Sequence, residues 1–205
     1  MMTPPAYQAK RFDLEGLKGM SDQTLALHVK LYERYVREAN RLTQSIDQCL
    51  KDGQIRPDEM PAFSELTRRL GYEYNGMMLH EYYFGNLKPQ EENPQPSPAF
   101  IRTAEATFGS YAVWKIDFIS IAKMRGVGWA ICYQDPLNGR LSNHWASLHQ
   151  IGTVIGFTPL LVLDLWEHAY LLDYQSERAA YIESFFSNIA WEVVDERLRV
   201  GTTSY

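Results

Sequence analysis

Residues 159–170 read Pro-Leu-Leu-Val-Leu-Asp-Leu-Trp-Glu-His-Ala-Tyr, and this stretch constrains the fold of the whole chain. Its first five residues are apolar and predict a buried strand. The strand runs directly into Asp164, and His168 follows four residues later. A carboxylate at the end of a buried strand is unfavourable unless a cation or hydrogen-bond donors meet it. The stretch therefore predicts a polar site at the end of a strand.

Two N-terminal segments carry histidines on their apolar faces. The first begins at the capping candidates Ser21 or Asp22, and apolar residues and His28 recur in it at helical spacing until it fades near Gly53. The second begins near residues 57–61 and repeats its apolar positions at steps of three, four and seven through His80. A short polar turn joins the two predicted helices, so they should pack antiparallel as a hairpin.

The proline-rich stretch 89–98 predicts a domain boundary, because its four prolines neither continue a helix nor pair in a central strand. We expect an α+β protein with a long helical hairpin in residues 1–92 and an α/β domain with a small three-stranded antiparallel sheet in residues 93–205. The second domain should begin with a helix near Pro98 to Lys123, followed by a strand at Trp129 to Tyr133. Asn138-Gly139 predicts a hairpin turn that leads into a second strand ending near His149, and a third strand is expected at Pro159 to Leu163. Two helices, at Glu177 to Asn188 and Trp191 to Arg199, should complete the domain.

The composition excludes some classes of partner. The net charge of −5, from 20 basic and 25 acidic residues, gives no general attraction for nucleic acid or for an anionic membrane surface. The first twelve residues lack the apolar run of a secretory signal, and no stretch reaches the roughly 20 apolar residues that a bilayer requires. Cys49 and Cys132 show no CxxC pattern, so neither a zinc clip nor a disulfide framework is indicated. We expect a cytoplasmic protein with no nucleic-acid or membrane partner.

A redox-active metal ion would explain four polar side chains on three elements that are predicted to be buried: His28, His80, Asp164 and His168. For any single histidine, a core residue with both ring nitrogens hydrogen-bonded is the more common explanation. Taken together, neutral imidazoles and an ionised carboxylate suit iron or manganese, whereas zinc would more often recruit cysteine. Four ligands leave a coordination position open, which indicates catalysis on a very small substrate.

The run Asp164-Leu-Trp-Glu-His-Ala-Tyr170 resembles the D-x-W-E-H-A-Y signature of the iron/manganese superoxide dismutases and matches it at every fixed position. The resemblance covers nearly the whole chain and extends through Phe108-Gly109-Ser110, Gly126-Val127-Gly128-Trp129, Thr158-Pro159-Leu160-Leu161, Tyr174, Arg178, Tyr181, Trp191 and Arg197. It implies that His28, His80, Asp164 and His168 bind one iron or manganese ion per subunit together with a solvent molecule. The implied reaction converts superoxide to dioxygen and hydrogen peroxide by alternate reduction and oxidation of that ion.

The resemblance also implies roles for residues around the metal. The family places a glutamine or a histidine as hydrogen-bond donor to the metal-bound solvent. Gly76 occupies the helix position for this donor, so His149, fifteen residues before Asp164, is the candidate, and a simple loop histidine is the alternative. Glu167 is expected to reach the metal-bound His168 of a partner subunit, which implies a homodimer and is compatible with a tetramer. Arg178 is the cation that the resemblance supports at the substrate entrance.

The first helix departs from the family pattern. The family usually reads H-x-x-x-H-H-x-x-Y-V, whereas this chain reads His28-Val-Lys-Leu-Tyr-Glu-Arg-Tyr-Val36, which is one residue shorter. Tyr32 stands where the family has its gateway histidine, and Tyr35 is expected one step, about 100° of helix rotation, from the family's tyrosine. Leu171 stands where the gateway's partner tyrosine would be.

Three functions are compatible with these residues. The first is a dismutase with Tyr32, Tyr35, His149 and Arg178 as candidate catalytic residues. The second, motivated by the missing gateway, is a metal-binding protein of the same fold with little or no turnover. The third is a non-haem iron oxygenase, which is disfavoured because a fourth ligand would take the space that dioxygen and a co-substrate need.

Overall fold

The two N-terminal helices form the predicted hairpin. In the computed structural model, which describes residues 5–90 and 94–200, α1 spans Asp22–Cys49 and α2 spans Met60–Gly85. Ser21 begins α1 by accepting a hydrogen bond from the backbone N–H of Thr24, as an N-cap residue does. Contacts of His28 with Phe84 at one end and of Tyr35 with Tyr72 further along show that the helices run antiparallel.

The helix predicted from Pro98 to Lys123 is divided into two, so the prediction of one continuous helix is wrong. α3 spans Pro98–Phe108 and α4 spans Tyr111–Ala122. Gly109 adopts the left-handed conformation with φ of 84°, which ends α3, and the Ser110 side chain accepts from the Val113 N–H to begin α4.

The three strands form an antiparallel sheet in the order β2-β1-β3, as predicted. β1 spans Trp129–Gln134, β2 spans Leu141–Ala146 and β3 spans Thr158–Asp164. The hairpin between β1 and β2 closes with Gly139 at a φ of 74°, which confirms the turn signal in the sequence. β2 ends three residues before His149, so this histidine lies in the β2–β3 loop and not at a strand end. The pairing of β1 with β3 places Trp129 directly opposite Asp164.

Short helical segments follow the sheet and complete an α+β architecture. A 3₁₀ turn at Glu167–Ala169 and α5 at Leu171–Tyr174 were not predicted from the sequence. α6 spans Arg178–Phe186 and α7 spans Trp191–Val200, close to the two predicted helices. The boundary expected between residues 92 and 93 falls outside the described residues, and the division into two domains stays a prediction. Within residues 5–90 and 94–200, every helix is too short or too polar to cross a bilayer.

Asn86, directly after α2, joins the helical hairpin to the sheet. Its side chain donates to the Leu160 carbonyl oxygen at 3.2 Å and accepts from the Val162 N–H at 2.9 Å. β3 is an edge strand, so these backbone groups have no neighbouring strand on that side and Asn86 takes its place. The Asn86 carbonyl oxygen also accepts from the Ala190 N–H at 2.8 Å. One buried amide thus fixes the end of α2 against β3.

Replacing Asn86 with Ala should lower the free energy of unfolding by about 1–3 kcal/mol, because the buried Val162 N–H loses its partner, whereas the Leu160 carbonyl oxygen keeps the hydrogen bond from Arg197. Urea denaturation followed by circular dichroism measures the change. Gln44→Ala, on the exposed surface of α1, serves as the control and should stay within about 0.5 kcal/mol of the unmodified chain. Equal denaturation midpoints for both variants would show that Asn86 does not hold α2 on the sheet.

Candidate metal centre

Four side chains from four structural elements converge at the end of β3. His28 comes from α1, His80 from α2, Asp164 from the last position of β3, and His168 from the following 3₁₀ turn. Their possible ligand atoms all lie within 4.8 Å of one another. The Nε2 atoms of His28, His80 and His168 lie 3.1, 3.7 and 3.1 Å from the same Asp164 oxygen, Oδ2. The structure therefore brings together the four residues that the sequence predicted.

The Asp164 carboxylate is oriented by its own chain. Oδ1 accepts from the Trp166 N–H at 2.8 Å, as in an Asx-turn, and the Asp164 carbonyl oxygen accepts from the Tyr181 hydroxyl at 2.9 Å. These contacts leave Oδ2 directed at the three imidazoles. Burial by itself would raise the pKa of Asp164, but the charge of His168 and hydrogen bonds from His168 and His28 outweigh it and hold the pKa below its ordinary value. The carboxylate is consequently ionised.

His80 shows that this cluster fits a cation. Its Nδ1 lies 2.6 Å from the Gly76 carbonyl oxygen, which only accepts, so Nδ1 carries the hydrogen. Burial, followed by the charge of His28, lowers the pKa of His80 well below its ordinary value and keeps the ring neutral. Nε2 is therefore a bare lone pair that faces an ionised oxygen, and it has no hydrogen-bond partner among the described residues. A metal ion between them removes the repulsion.

The donor set agrees with the metals expected from the sequence. Burial lowers the pKa of His28 too, so at least the rings of His28 and His80 are neutral, and the cluster offers three imidazole nitrogens and one carboxylate oxygen. Such a set suits iron or manganese, with no thiolate among the four. His28, His80 and Asp164 have essentially no exposed side-chain surface, whereas His168 is 26% exposed.

His149 lies beside this cluster, with its ring centre 6.2 Å from that of His80. The Trp129 indole N–H donates to its Nδ1 at 3.1 Å, and its Nε2 lies 2.8 Å from the Tyr35 hydroxyl. Burial lowers the pKa of His149 to about 4, so the ring is neutral near pH 7. Because an indole only donates, Nδ1 is the acceptor and the single ring hydrogen is on Nε2. The preceding residue, Leu148, has a φ of 55°, an uncommon conformation that clusters at functional sites.

Tyr35 faces the cluster. From the sequence we expect it one step of helix rotation from the family's tyrosine, which does not indicate this position. α1 is an uninterrupted α-helix, and seven residues make nearly two full turns, so Tyr35 lies on the same face as His28. Gly76 gives its ring the necessary space, because a Cβ there would lie 2.6 Å from the Tyr35 ring. Position 76 therefore accommodates no donor side chain, and His149 stays the candidate donor on this side of the cluster.

The other two candidate catalytic residues point elsewhere. The Tyr32 hydroxyl donates to the Glu81 carboxylate at 3.0 Å and accepts from the Lys10 N–H at 2.8 Å, so it joins α1 to the N-terminal segment and α2. Arg178 donates to the carbonyl oxygens of Met124 and Gly126 at 3.1 and 3.0 Å. These contacts support packing roles for both residues, and their participation in catalysis stays a prediction.

Aromatic residues that the sequence analysis did not assign to the site line it. Trp129 lies edge-on to His80, at 5.1 Å between ring centres, and Trp166 lies 5.2 Å from His149. Trp129 reaches this position because the β1–β3 register sets it opposite Asp164. Only the register of β1 against β3 identifies Trp129 as a residue of the site. The residue pattern of a single strand does not contain this register.

Known proteins resemble the chain along most of its length. The family model for the C-terminal domain of iron/manganese superoxide dismutases matches residues 96–197. A superoxide dismutase (Fe) of Aquifex pyrophilus is 33% identical over 193 residues, which is 93% of this chain and 90% of that protein. A superoxide dismutase (Fe) of Cupriavidus metallidurans is 32% identical over 91% of this chain and 93% of that protein. A superoxide dismutase (Mn/Fe) of Aeropyrum pernix is 31% identical over 83% of this chain and 78% of that protein.

His80→Ala and His168→Ala should each lower the bound iron or manganese at least about tenfold, because each removes one nitrogen from the cluster. Elemental analysis of protein expressed with either metal measures this. Thermal stability should fall as well, since a metal that binds the folded state stabilises it. His144→Ala is the matched control: this histidine on β2 lies outside the cluster and contacts Ser142. Full metal occupancy in the His80 and His168 variants would exclude the assigned site.

Proposed function

The chain belongs to the iron/manganese superoxide dismutase family, and we propose that His28, His80, Asp164 and His168 are the ligands of its single iron or manganese ion. The protein is a superoxide dismutase that converts superoxide to dioxygen and hydrogen peroxide. The convergence of three imidazole nitrogens on one buried carboxylate oxygen carries the assignment of the ligands. The bound ion supplies a one-electron couple that superoxide can both reduce and reoxidise. The relatives give no support to a metal-binding protein without turnover.

The ligand residues hold the ion by charge and orientation. Asp164 contributes the negative charge, and the backbone N–H of Trp166 keeps its second oxygen away from the metal side. The Gly76 carbonyl oxygen fixes the His80 tautomer, so Nε2 presents its lone pair. Outer contacts of this kind orient metal ligands and raise their basicity. The site is therefore largely preorganised before any ion binds.

His149 and Tyr35 serve the half-reaction that consumes protons. Reduction of superoxide to hydrogen peroxide requires two protons, and both residues bear a hydrogen beside the cluster. Burial lowers the pKa of His149 and raises that of Tyr35, so each keeps its neutral, hydrogen-bearing form near pH 7. A neutral imidazole N–H is a weak acid, so His149 acts as a hydrogen-bond donor, and its one hydrogen is shared between the Tyr35 hydroxyl and the oxygen of solvent or substrate. The protons themselves come ultimately from solvent.

A symmetric homodimer is the proposed assembly. Nε2 of His168 faces Asp164, and none of the hydrogen bonds described for residues 5–90 and 94–200 reaches its Nδ1. Metal-binding histidines usually donate their second N–H to a carboxylate or carbonyl group, and the exposed Glu167 of a second copy can supply one. Leu171 and Leu172, 51% and 56% exposed, add an apolar surface next to it. A tetramer is compatible with this interface.

The cytoplasm is the proposed location. Both Cys49 and Cys132 are free thiols, and Cys132 is fully buried in the sheet. Unpaired cysteines fit a reducing compartment better than an oxidising one.

Dismutase assays on separately iron-loaded and manganese-loaded protein test the function directly. His149→Ala should retain most of the metal and lose about 10- to 100-fold in turnover, the range typical of residues that support metal ligands or their solvent. His149→Gln should retain more activity than His149→Ala, since an amide still donates a hydrogen bond. His144→Ala should match the unmodified enzyme. If His149→Ala keeps both the wild-type rate and the wild-type metal potential, His149 is an ordinary loop residue.

Sedimentation equilibrium at micromolar concentration should give twice the mass of one chain. Leu171→Asp should shift the protein toward monomer, because it buries a charge in the proposed interface. Leu137→Asp makes the same change in the β1–β2 hairpin, at a side chain that is 86% exposed, and should leave the dimer intact. A wild-type chain that sediments only as a monomer contradicts the dimer and the proposed role of Glu167.

A further inference from the structure

A groove lies between α4 and α6 and shares no residue with the metal centre. Its volume is about 440 Å³, within the range of roughly 300–1,000 Å³ that small-molecule sites occupy. One face of α4 contributes Tyr111, Lys115 and Lys123, which are separated by four and eight residues. The facing side of α6 contributes Glu183 and Phe186. The two helices thus form a space of the size of a small organic molecule.

One end of the groove has an aromatic wall. Trp191, at the start of α7, is 5% exposed and lies 6.3 Å from Tyr111 between ring centres. Both rings pack on the buried Trp114, at 5.3 Å for Tyr111 and 6.1 Å for Trp191. These core contacts hold the two rings in place before any ligand binds. Because aromatic rings pack favourably edge to face or offset on one another, the wall favours an aromatic ligand.

The groove also carries an excess of positive charge. The Lys115 ammonium lies over the Phe186 ring, 4.7 Å from its centre, in a cation–π contact that holds it at the groove. None of the ion pairs described for residues 5–90 and 94–200 engages the ammonium group of Lys115 or Lys123. Glu183 is the one carboxylate among the described lining residues, so two positive charges face one negative charge. A ligand with a single negative charge neutralises the groove.

We propose that this groove binds a small aromatic monocarboxylate, separately from the metal centre. The aromatic ring packs against Tyr111 and Trp191, and the carboxylate accepts hydrogen bonds from the Lys115 ammonium, which has three N–H donors. Tyr111 and Lys115 are one helical turn apart, about 6 Å along α4, so one compact molecule reaches both. Lys115 is half-buried, and its pair with a carboxylate is therefore screened less than a pair on the open surface.

Isothermal titration calorimetry of the metal-loaded chain with 1-naphthoate tests the proposal. One molecule should bind per chain. The uncharged analogue 1-naphthalenemethanol and the aliphatic acid octanoate should each bind at least about fivefold more weakly, since one lacks the charge and the other the ring. Lys115→Gln should weaken 1-naphthoate binding about 3- to 10-fold, the loss expected for one charge-assisted hydrogen bond. Ala179→Trp fills the groove from α6 and should abolish binding.

Two matched controls should bind 1-naphthoate like the unmodified chain: Lys51→Gln, at an exposed lysine between α1 and α2, and Ala180→Trp, at the exposed neighbour of Ala179. No binding at millimolar concentration, equal affinity for either analogue, or unchanged affinity in Lys115→Gln or Ala179→Trp overturns the proposal. Binding that is lost in His168→Ala and kept in Ala179→Trp would place the carboxylate on the metal ion, and overturns it as well. These titrations need no turnover, so their outcome is independent of the dismutase assays.

Discussion

The ionised carboxylate of Asp164 is the group on which the rest of the structure depends. It is fully buried, and its Oδ2 atom faces three imidazole nitrogens at 3.1 to 3.7 Å. A buried charge of this kind is stable only with a compensating cation or a full set of donors. Since His80 offers a lone pair and not a hydrogen, the cation is the solution that the geometry requires. The fold brings α1 and α2 to the end of β3.

Long-range hydrogen bonds maintain that arrangement. Asn86 takes the place of a missing strand beside β3 and ties α2 to the sheet. Tyr181, from α6, donates to the backbone oxygen of Asp164 itself and contacts the hydroxyl of Tyr83 on α2. The contacts of Asn86 and Tyr181 lie at the ends of α2 and β3, the elements that carry His80 and Asp164. Small displacements of α2 or β3 would therefore change the distances within the cluster. Buried polar groups thus set the geometry that apolar packing leaves adjustable.

The hydrogen bonds beside the metal cluster are constrained because the residue there is a histidine and not an amide. An amide has two N–H hydrogens, whereas neutral His149 has one, and Trp129 has already determined that it lies on Nε2. In its proposed role, that hydrogen serves both Tyr35 and the oxygen species that enter the site. The position of Tyr35 is in turn available only because residue 76 lacks a side chain. The positions of four residues, Trp129, His149, Tyr35 and Gly76, therefore depend on one another.

The sequence by itself predicted the four candidate ligands and determined the fold class. Helical spacing placed His28 and His80 on apolar faces, and the run from Pro159 to His168 contained the strand, the acid and the histidine together, so local periodicity was sufficient. The tertiary structure alone decided where Tyr35 points, which tautomer His149 adopts and which strand residue lies opposite Asp164. Those facts depend on strand register, helix packing and single hydrogen positions between residues far apart in the chain, and local patterns do not contain that information.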